Sequence, residues 1–153
     1  MIFTVSEISK SLADYLFPYF PNVTFYENPN QQGTKLPCMF LQQRYSNIEP
    51  RMDGRYLRKI GLDITYLIDY NLSDMQMQYE NAAETLDLLM SVFPYKNGNT
   101  EALVRTYDRE WNIDLDALHY KFEIREIVAI PKKYEKMNKI QEFNEEVTAD
   151  AER

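Results

Sequence analysis

The sequence predicts an α+β fold, with a mainly antiparallel sheet of about five strands and two helices packed on one face of that sheet. Residues 55–69 alternate apolar and polar side chains with a period of two, as do residues 117–130, which is typical of strands with one buried face. Residues 73–93 instead repeat apolar residues every three to four positions, which predicts one amphipathic helix. Short turns between strands favour antiparallel hairpins, and helices grouped on one sheet face make a two-layer sandwich.

The N-terminal segment predicts the first helix. Thr4 with Glu7 matches the capping-box pattern, so the helix begins there and runs to about Phe17. Pro18 cannot continue the helical hydrogen bonds and ends it. A short strand is predicted next, at 22–27.

A hairpin is the clearest feature of the middle of the chain. Residues 28–37 are rich in turn-forming and polar residues, which predicts an exposed loop. A second strand follows at 38–48, and a turn at 49–54 connects it to the strand at 55–69. Asp53-Gly54 within that turn is the strongest hairpin signal in the chain.

The central helix at 73–93 has a predicted start and stop. Ser73 with Gln76 forms a second capping-box pattern, and Pro94 marks the end. A tight connection at 95–99 then leads to a fourth strand at 102–111, and a turn precedes the last strand.

The last part of the chain differs in composition, which predicts a domain at 1–131 and a charged, helical or extended tail at 132–153. The tail is basic at first and acidic later. Some of its apolar residues are spaced as in a weakly amphipathic helix, which gives the hypothesis that they contact a partner: Tyr134, Met137, Ile140 and Phe143. Packing on its own domain, packing on a neighbouring subunit and fraying remain open alternatives.

Composition excludes several functional classes. A chain of 153 residues is long enough for one domain with a real core, and a net charge of -7 argues against a nucleic-acid binder. With one cysteine, Cys38, and one histidine, His119, no typical zinc site is expected. There is no phosphate-binding glycine motif and no apolar run long enough to cross a membrane. We therefore predict no catalytic residues, no metal, no cofactor and no membrane association.

One face of the predicted sheet is polar. Alternation places a set of polar residues away from the helices: Lys59, Asp63, Thr65, His119, Lys121, Glu123 and Arg125. Exposure to solvent is the favoured interpretation, because antiparallel sheets often leave one face in water. Contact with another subunit is the alternative.

The order of these elements resembles the tail-terminator (tail-completion) proteins of tailed bacteriophages and prophages, especially those of contractile tails and phage-tail-like bacteriocins. The resemblance is carried by the segments IFTVSEISKSLADYLF, NVTFYE, NPNQQGTKLPCMFLQ, RYLRKIGLDITYLID, MQMQYENAAETLDLLM and LHYKFEIREIVAIP, and it covers roughly residues 1–131.

The resemblance implies a structural protein without catalysis. Such proteins form a ring, usually a hexamer, that caps the tail tube at its head-proximal end and joins it to the neck. Partners would be the tube protein, the neck and, in a contractile tail, the sheath, with DNA only as passing cargo. The protein would assemble in the bacterial cytoplasm and end in the tail.

The predicted contact residues lie in two exposed loops, because loops carry binding more often than sheets do. They are Asn30, Gln31, Gln32 and Lys35 in the first loop, and Arg51, Met52, Asp53 and Arg55 around the hairpin turn. Three alternative functions remain open: another head-tail connector such as a stopper, an adaptor that dimerises through a strand edge, and a small metal-dependent enzyme.

Overall fold

The computed structural model describes residues 3–27, 35–69, 71–114 and 116–129. The elements are, in chain order, α1 (Val5–Leu16), β1 (Thr24–Tyr26), β2 (Cys38–Pro50), β3 (Arg55–Leu67), α2 (Met75–Leu89), β4 (Val92–Asn97), β5 (Thr100–Asp114) and β6 (Ala117–Ala129). The six strands form one sheet in the order β1-β2-β3-β6-β5-β4. The predicted α+β class is confirmed, and the sheet has six strands where the sequence predicted about five.

The additional strand, β4, lies where the sequence predicted the end of the central helix at 73–93 and the tight connection at 95–99. α2 ends at Leu89, and residues 92–97 pair antiparallel with β5, with Pro94 opposite Leu103. Because β4 is an edge strand, Pro94 removes no hydrogen bond from the interior of the sheet. The predicted capping box at Ser73 is also wrong: the N-cap is Asp74, whose side chain makes no capping hydrogen bond.

The first strand pairs in parallel with its neighbour, whereas the sequence predicted antiparallel hairpins. β1 is parallel to β2 over three residues, with Thr24 opposite Cys38, while every other neighbouring pair is antiparallel. The backbone N–H of Thr24 donates to the carbonyl of Pro37 at 3.0 Å. A parallel neighbour requires the chain to travel back along the sheet, so the long connection at 28–37 does not make a hairpin.

The start of α1 agrees with the sequence and is tied to the sheet. Thr4 Oγ1 accepts a hydrogen bond from the backbone N–H of Glu7 at 3.3 Å. Arg58 on β3 donates to the carbonyl of Phe3 and to the carboxylate of Glu126 on β6, both at 2.7 Å. These contacts hold the N-terminus of α1 over the ends of two central strands.

Both helices bury their apolar residues against the same face of the sheet, as predicted. The core joins Ile8, Leu12 and Leu16 of α1, Tyr79, Ala83 and Leu86 of α2, and Ile60, Leu62, Tyr120 and Phe122 of the sheet. Burial of this apolar surface, at about 25 cal/mol per Å², is the main contribution to folding.

The sheet curls around α1. On one flank of α1, Ser11 Oγ accepts from the backbone N–H of Lys96 on β4 at 3.0 Å, and Tyr15 donates to the carbonyl of Leu89 at 2.8 Å. The other flank faces β1 and β2, at the opposite edge of the sheet, across a groove. One helix therefore lies close to both sheet edges.

Two predicted regions fall outside the described residues. These are residues 28–34 of the first predicted loop, which include Asn30, Gln31 and Gln32, and the predicted tail at 132–153, which includes Tyr134, Met137, Ile140 and Phe143. In the described part of the chain, no helix is long and apolar enough to cross a membrane.

Candidate interaction surfaces

The turn between β2 and β3 is an exposed tip with an apolar residue between two arginines. Asp53 and Gly54 adopt left-handed backbone conformations, with φ of 61° and 70°, which an Asp-Gly pair tolerates well. The backbone N–H of Arg51 donates to the carbonyl of Arg55 at 2.7 Å and closes the turn. The exposed fraction of Met52 is 83%, so its flexible side chain is free to contact a partner.

The described end of the first predicted loop lies at the other end of the same strand. Lys35 is exposed, and its backbone N–H donates to the hydroxyl of Tyr26 on β1 at 2.8 Å. Leu36, also exposed, follows it just before β2 begins at Cys38. A polar loop of this kind, anchored to the sheet at its base, is a suitable contact element.

These two regions are separated by the length of β2. Cys38 is opposite Leu67 at one end, which we call the loop end, and Pro50 is opposite Tyr56 at the other, which we call the hairpin end. A strand of 13 residues spans about 40 Å at about 3.3 Å per residue. Among the described contact candidates, Lys35 therefore lies near one end of β2, and Arg51, Met52, Asp53 and Arg55 lie at the other.

The polar sheet face is partly buried, contrary to the favoured interpretation of a solvated face. Tyr45 lies across Gly61 on β3 and donates to the carboxylate of Glu123 on β6 at 2.6 Å. Arg125 donates to the other oxygen of that carboxylate at 2.5 Å and stacks on the ring of Tyr107, 4.2 Å from its centroid. Glu123 is only 6% exposed because these side chains cover it.

The pKa of Glu123 follows from this arrangement. Burial by itself raises the pKa of the carboxyl, but hydrogen bonds from Tyr45 and Arg125 and the positive charges of Arg125 and Lys59 outweigh it, so the pKa lies below its ordinary value. The same hydrogen bond, together with burial, raises the pKa of Tyr45. Glu123 is therefore a buried carboxylate satisfied by its partners.

A second polar group surrounds Asp63 on the same face. The carboxylate of Asp63 lies 2.9 Å from Nδ1 of His119 and accepts from Thr65 Oγ1 at 3.2 Å. Thr65 also accepts from the amide of Gln42 at 3.0 Å. Asp63 and Thr65 are buried, so this group links β2, β3 and β6 across the sheet.

The geometry of this second group does not match a catalytic dyad. Nδ1 of His119 is in contact with both Asp63 and Thr65, so it is not directed at the Cys38 thiol. Cys38 itself is fully buried, and burial raises the pKa of its thiol. Among the described residues, no cluster of three or more histidine, cysteine or acidic side chains is placed to hold a metal ion.

A third feature is an apolar groove between α1 and the sheet edge formed by β1 and β2. Its volume is about 170 Å³, and its floor and walls are mostly apolar side chains, including Leu12, Ala13 and Leu16 from α1, Phe25 from β1, and Met39 and Leu41 from β2. Its charged lining residues, Lys10, Asp14 and Glu27, are exposed at its rim.

Comparison with known protein families identifies this architecture. The family model described as phage tail terminator protein matches residues 7–136, which is most of the chain. The chain belongs to this family. No curated protein matches it. The resemblance found in the sequence is thus confirmed, and this member of the terminator family is a structural component of the phage tail.

The family model describes structural tail proteins. The terminator family is not a known enzyme family. The matched region runs from the first turns of α1, past the end of β6 at Ala129, to residue 136.

The sequence predicted the turn between β2 and β3, but it did not predict the buried Tyr45–Glu123 contact or the groove. The one sequence signal for the Tyr45–Glu123 contact was Gly61, which lies inside an otherwise regular strand. Glycine in a strand permits a close approach by another group. The groove had no signal, since it is formed by residues of α1, β1 and β2 that are distant in sequence.

Proposed function

We propose that this protein is the ring-forming terminator that caps the tail tube at its head-proximal end and provides the surface that joins the tail to the neck. The observation that supports this role is the placement of two exposed segments, Lys35-Leu36 and the hairpin tip, at opposite ends of β2. A capping ring needs two different axial faces, one for the last ring of tube subunits and one for the neck.

The two lateral edges of the sheet support a closed ring of identical subunits. β1 pairs with β2 only as far as Phe40, so ten residues of the outer edge of β2, 41–50, have no strand partner among the described residues. The opposite edge is β4, interrupted by Pro94. Because the two edges differ, contact between them is head-to-tail, which closes into a ring when the rotation between subunits is right. The family resemblance suggests six copies.

The distribution of charge suggests which side faces the channel. The exposed face of α2 carries Glu80, Glu84 and Asp87, and the sequence has no lysine or arginine from Gly61 to Tyr95. DNA gains no counterion release from such a surface. We propose that α2 faces the channel, where DNA passes as cargo without binding. The remaining outer surface would meet the sheath if the tail is contractile.

The hairpin tip and the loop end are proposed to bind different partners. Met52 between Arg51 and Arg55 suits an apolar and acidic surface, while the loop that ends at Lys35 presents mainly polar groups. Since the two sites are about 40 Å apart on one strand, loss of one leaves the other intact.

Native mass spectrometry and electron microscopy test the ring. The purified protein, alone or mixed with the tail-tube protein of the same phage, is expected to give a six-copy ring, and tubes polymerised in its presence are expected to stop growing. Monomers alone in both samples would refute the proposal. Binding to the portal-adaptor proteins but not to the tube protein would favour the stopper function instead.

Two matched variants separate the contact sites from general surface effects. Met52→Asp is expected to keep the fold and the ring but to lose one of the two activities, tube capping or neck joining. Leu88→Asp is the control, because Leu88 is 85% exposed but lies on α2, away from both ends of β2. If both variants behave alike, the hairpin tip is not a specific contact site.

A further inference from the structure

We propose that the groove between α1 and the β1–β2 edge binds residues 132–143 of a neighbouring subunit, with apolar side chains of that segment inserted between the helix and the sheet. This inference rests on the proposed ring, since it needs a second copy of the chain beside the first. No described residue of the same chain fills the groove, so the groove is available for a contact between subunits.

The groove has the size and chemistry for one large apolar side chain with its neighbours. An apolar cavity of about 150 Å³ accommodates a benzene molecule, and this groove has a volume of about 170 Å³. Ala13 on α1 leaves room between helix and sheet, while Phe25 and Leu41 are only half-buried and would lose their remaining exposure on docking. Covering such surface is favourable because it removes apolar area from water.

The segment after β6 carries a complementary face. Tyr134, Met137 and Ile140 recur every three residues, which places them on one side of a helix, and an amphipathic helix in an apolar groove is a common form of recognition. The family match continues to residue 136, so the start of this segment belongs to the part of the chain that characterises the family.

Charge favours the same pairing. The charged residues that line the groove are Lys10, Asp14 and Glu27. Lys10 pairs with Glu7 on α1 at 3.5 Å, whereas Asp14 and Glu27 form no ion pair with another described residue. The docking segment carries four lysines: Lys132, Lys133, Lys136 and Lys139. A basic segment laid along an acidic rim has complementary charge, which favours one orientation of binding.

The strand register separates the end of β6 from the part of the groove at Leu41, which favours a contact between two subunits. Ala129 is opposite Arg55 at the hairpin end, while Leu41 in the groove lies nine positions along β2 from Pro50 (50 minus 41). That separation is about 30 Å at about 3.3 Å per residue. Tyr134, five residues beyond Ala129, reaches at most about 18 Å even when fully extended. Met137 approaches about 30 Å only if the helical face is lost, so a helical segment does not reach the Leu41 part of its own groove, and the segment of a neighbour would fill that part.

Disulfide trapping between different chains tests the contact. One batch of full-length protein carries Ala13→Cys in the groove, and a second, of different tagged mass, carries Met137→Cys. After the batches are mixed and oxidised, the expected product is a disulfide between the two masses. Native Cys38 is fully buried, so the unsubstituted protein should give no such product. Glu84→Cys, exposed on α2, replaces Ala13→Cys in the control mixture and should not react with Met137→Cys.

A disulfide that forms only within a single chain carrying both substitutions would overturn the inference in favour of docking on the same subunit. Six-copy rings without an Ala13–Met137 disulfide would overturn the inference while the proposed function stands. Monomers under all conditions would instead overturn the proposed function.

Truncation gives a second measurement. Removing residues 132–153 is expected to raise the protein concentration needed for ring formation by about tenfold or more, because each subunit loses one buried apolar anchor. Removing only 145–153 should leave that concentration unchanged. An equal effect of both truncations, or of neither, would contradict the assignment.

Discussion

Replacing Gly61 by alanine tests the buried contact on the polar sheet face. A Cβ at this position would lie 2.2 Å from Cε2 and 2.5 Å from Cζ of Tyr45, far inside van der Waals contact. The backbone of β3 is ordinary extended strand, so alanine itself fits there. The Tyr45 ring must therefore move, and its hydroxyl must leave the carboxylate of Glu123, 2.6 Å away.

Two opposing effects set the change in the free energy of unfolding. Loss of this hydrogen bond destabilises the fold, and the smaller conformational entropy of alanine in the unfolded chain stabilises it. Glu123 keeps its hydrogen bond from Arg125, so the loss is one of two hydrogen bonds to a buried carboxylate. Such a hydrogen bond to a charged group contributes about 1.5–3 kcal/mol. Replacing glycine by alanine in a compatible extended conformation returns about 0.4–1 kcal/mol. We expect Gly61→Ala to lower the free energy of unfolding by about 1–2 kcal/mol. With Tyr45→Ala already present, the obstacle is gone, and the same substitution is expected to stabilise by about 0.5–1 kcal/mol.

A double-mutant cycle by urea unfolding measures this change of sign. The four proteins are compared at one protein concentration, because assembly adds to apparent stability, and with unchanged m-values. Tyr45→Phe is the control for the hydrogen bond alone, since it keeps the ring over Gly61. An effect of Gly61→Ala that is the same with and without Tyr45 would refute the argument, since the two residues would then be independent.

Four further outcomes follow from the structure. Thr4→Ala is expected to cost about 1 kcal/mol through loss of the N-cap, measured by thermal unfolding, whereas Thr4→Ser should retain stability. Because the pKa of Glu123 is lowered in the folded protein, the ionised carboxylate contributes its full stability above the ordinary pKa of 4.5, and this contribution is lost as pH falls through the pKa in the folded protein. Tyr45→Phe should make the free energy of unfolding depend less steeply on pH in this acidic range. An unchanged pH dependence would contradict the argument. Burial and a hydrogen bond to the carboxylate of Asp87 raise the pKa of Tyr120. Its contribution to stability should therefore persist up to the ordinary tyrosine pKa of 10 and be lost as pH rises from there towards the pKa in the folded protein. Alkaline unfolding of Tyr120→Phe should depend less on pH. Iodoacetamide should alkylate Cys38 much more slowly in the native protein than in urea, because burial shields the thiol and raises its pKa; equal rates would show that the strand opens readily.

Elements with strong local periodicity were predictable from the sequence. Apolar and polar residues alternate through the middle of β3 and β6, and the apolar set packs on the core. α1 carries a capping residue whose hydrogen bond is formed in the structure. The turn at Asp53-Gly54 was equally clear, since these residues tolerate the positive φ that the hairpin needs.

Elements that depend on distant partners were not predictable in the same way. Pro94 looked like a helix stop, but residues 92–97 are a strand because β5 pairs with one side of them and α1 packs against them. The parallel direction of β1 depends on the path of the chain through 28–37, which residue chemistry does not specify. Burial of Asp63 and Glu123 likewise required side chains from neighbouring strands to cover them.

The sequence by itself determined which residues face inward, where the hairpin turns and, through the order of its segments, the family. These properties depend on the spacing of residue types along the chain, so a short stretch of sequence is enough to predict them. Only the tertiary structure decided that Lys35 and the hairpin turn lie at opposite ends of β2, that Tyr45 covers Gly61, and that a groove opens beside α1. Each of these is a relation between residues far apart in sequence, set by strand register and by the curl of the sheet.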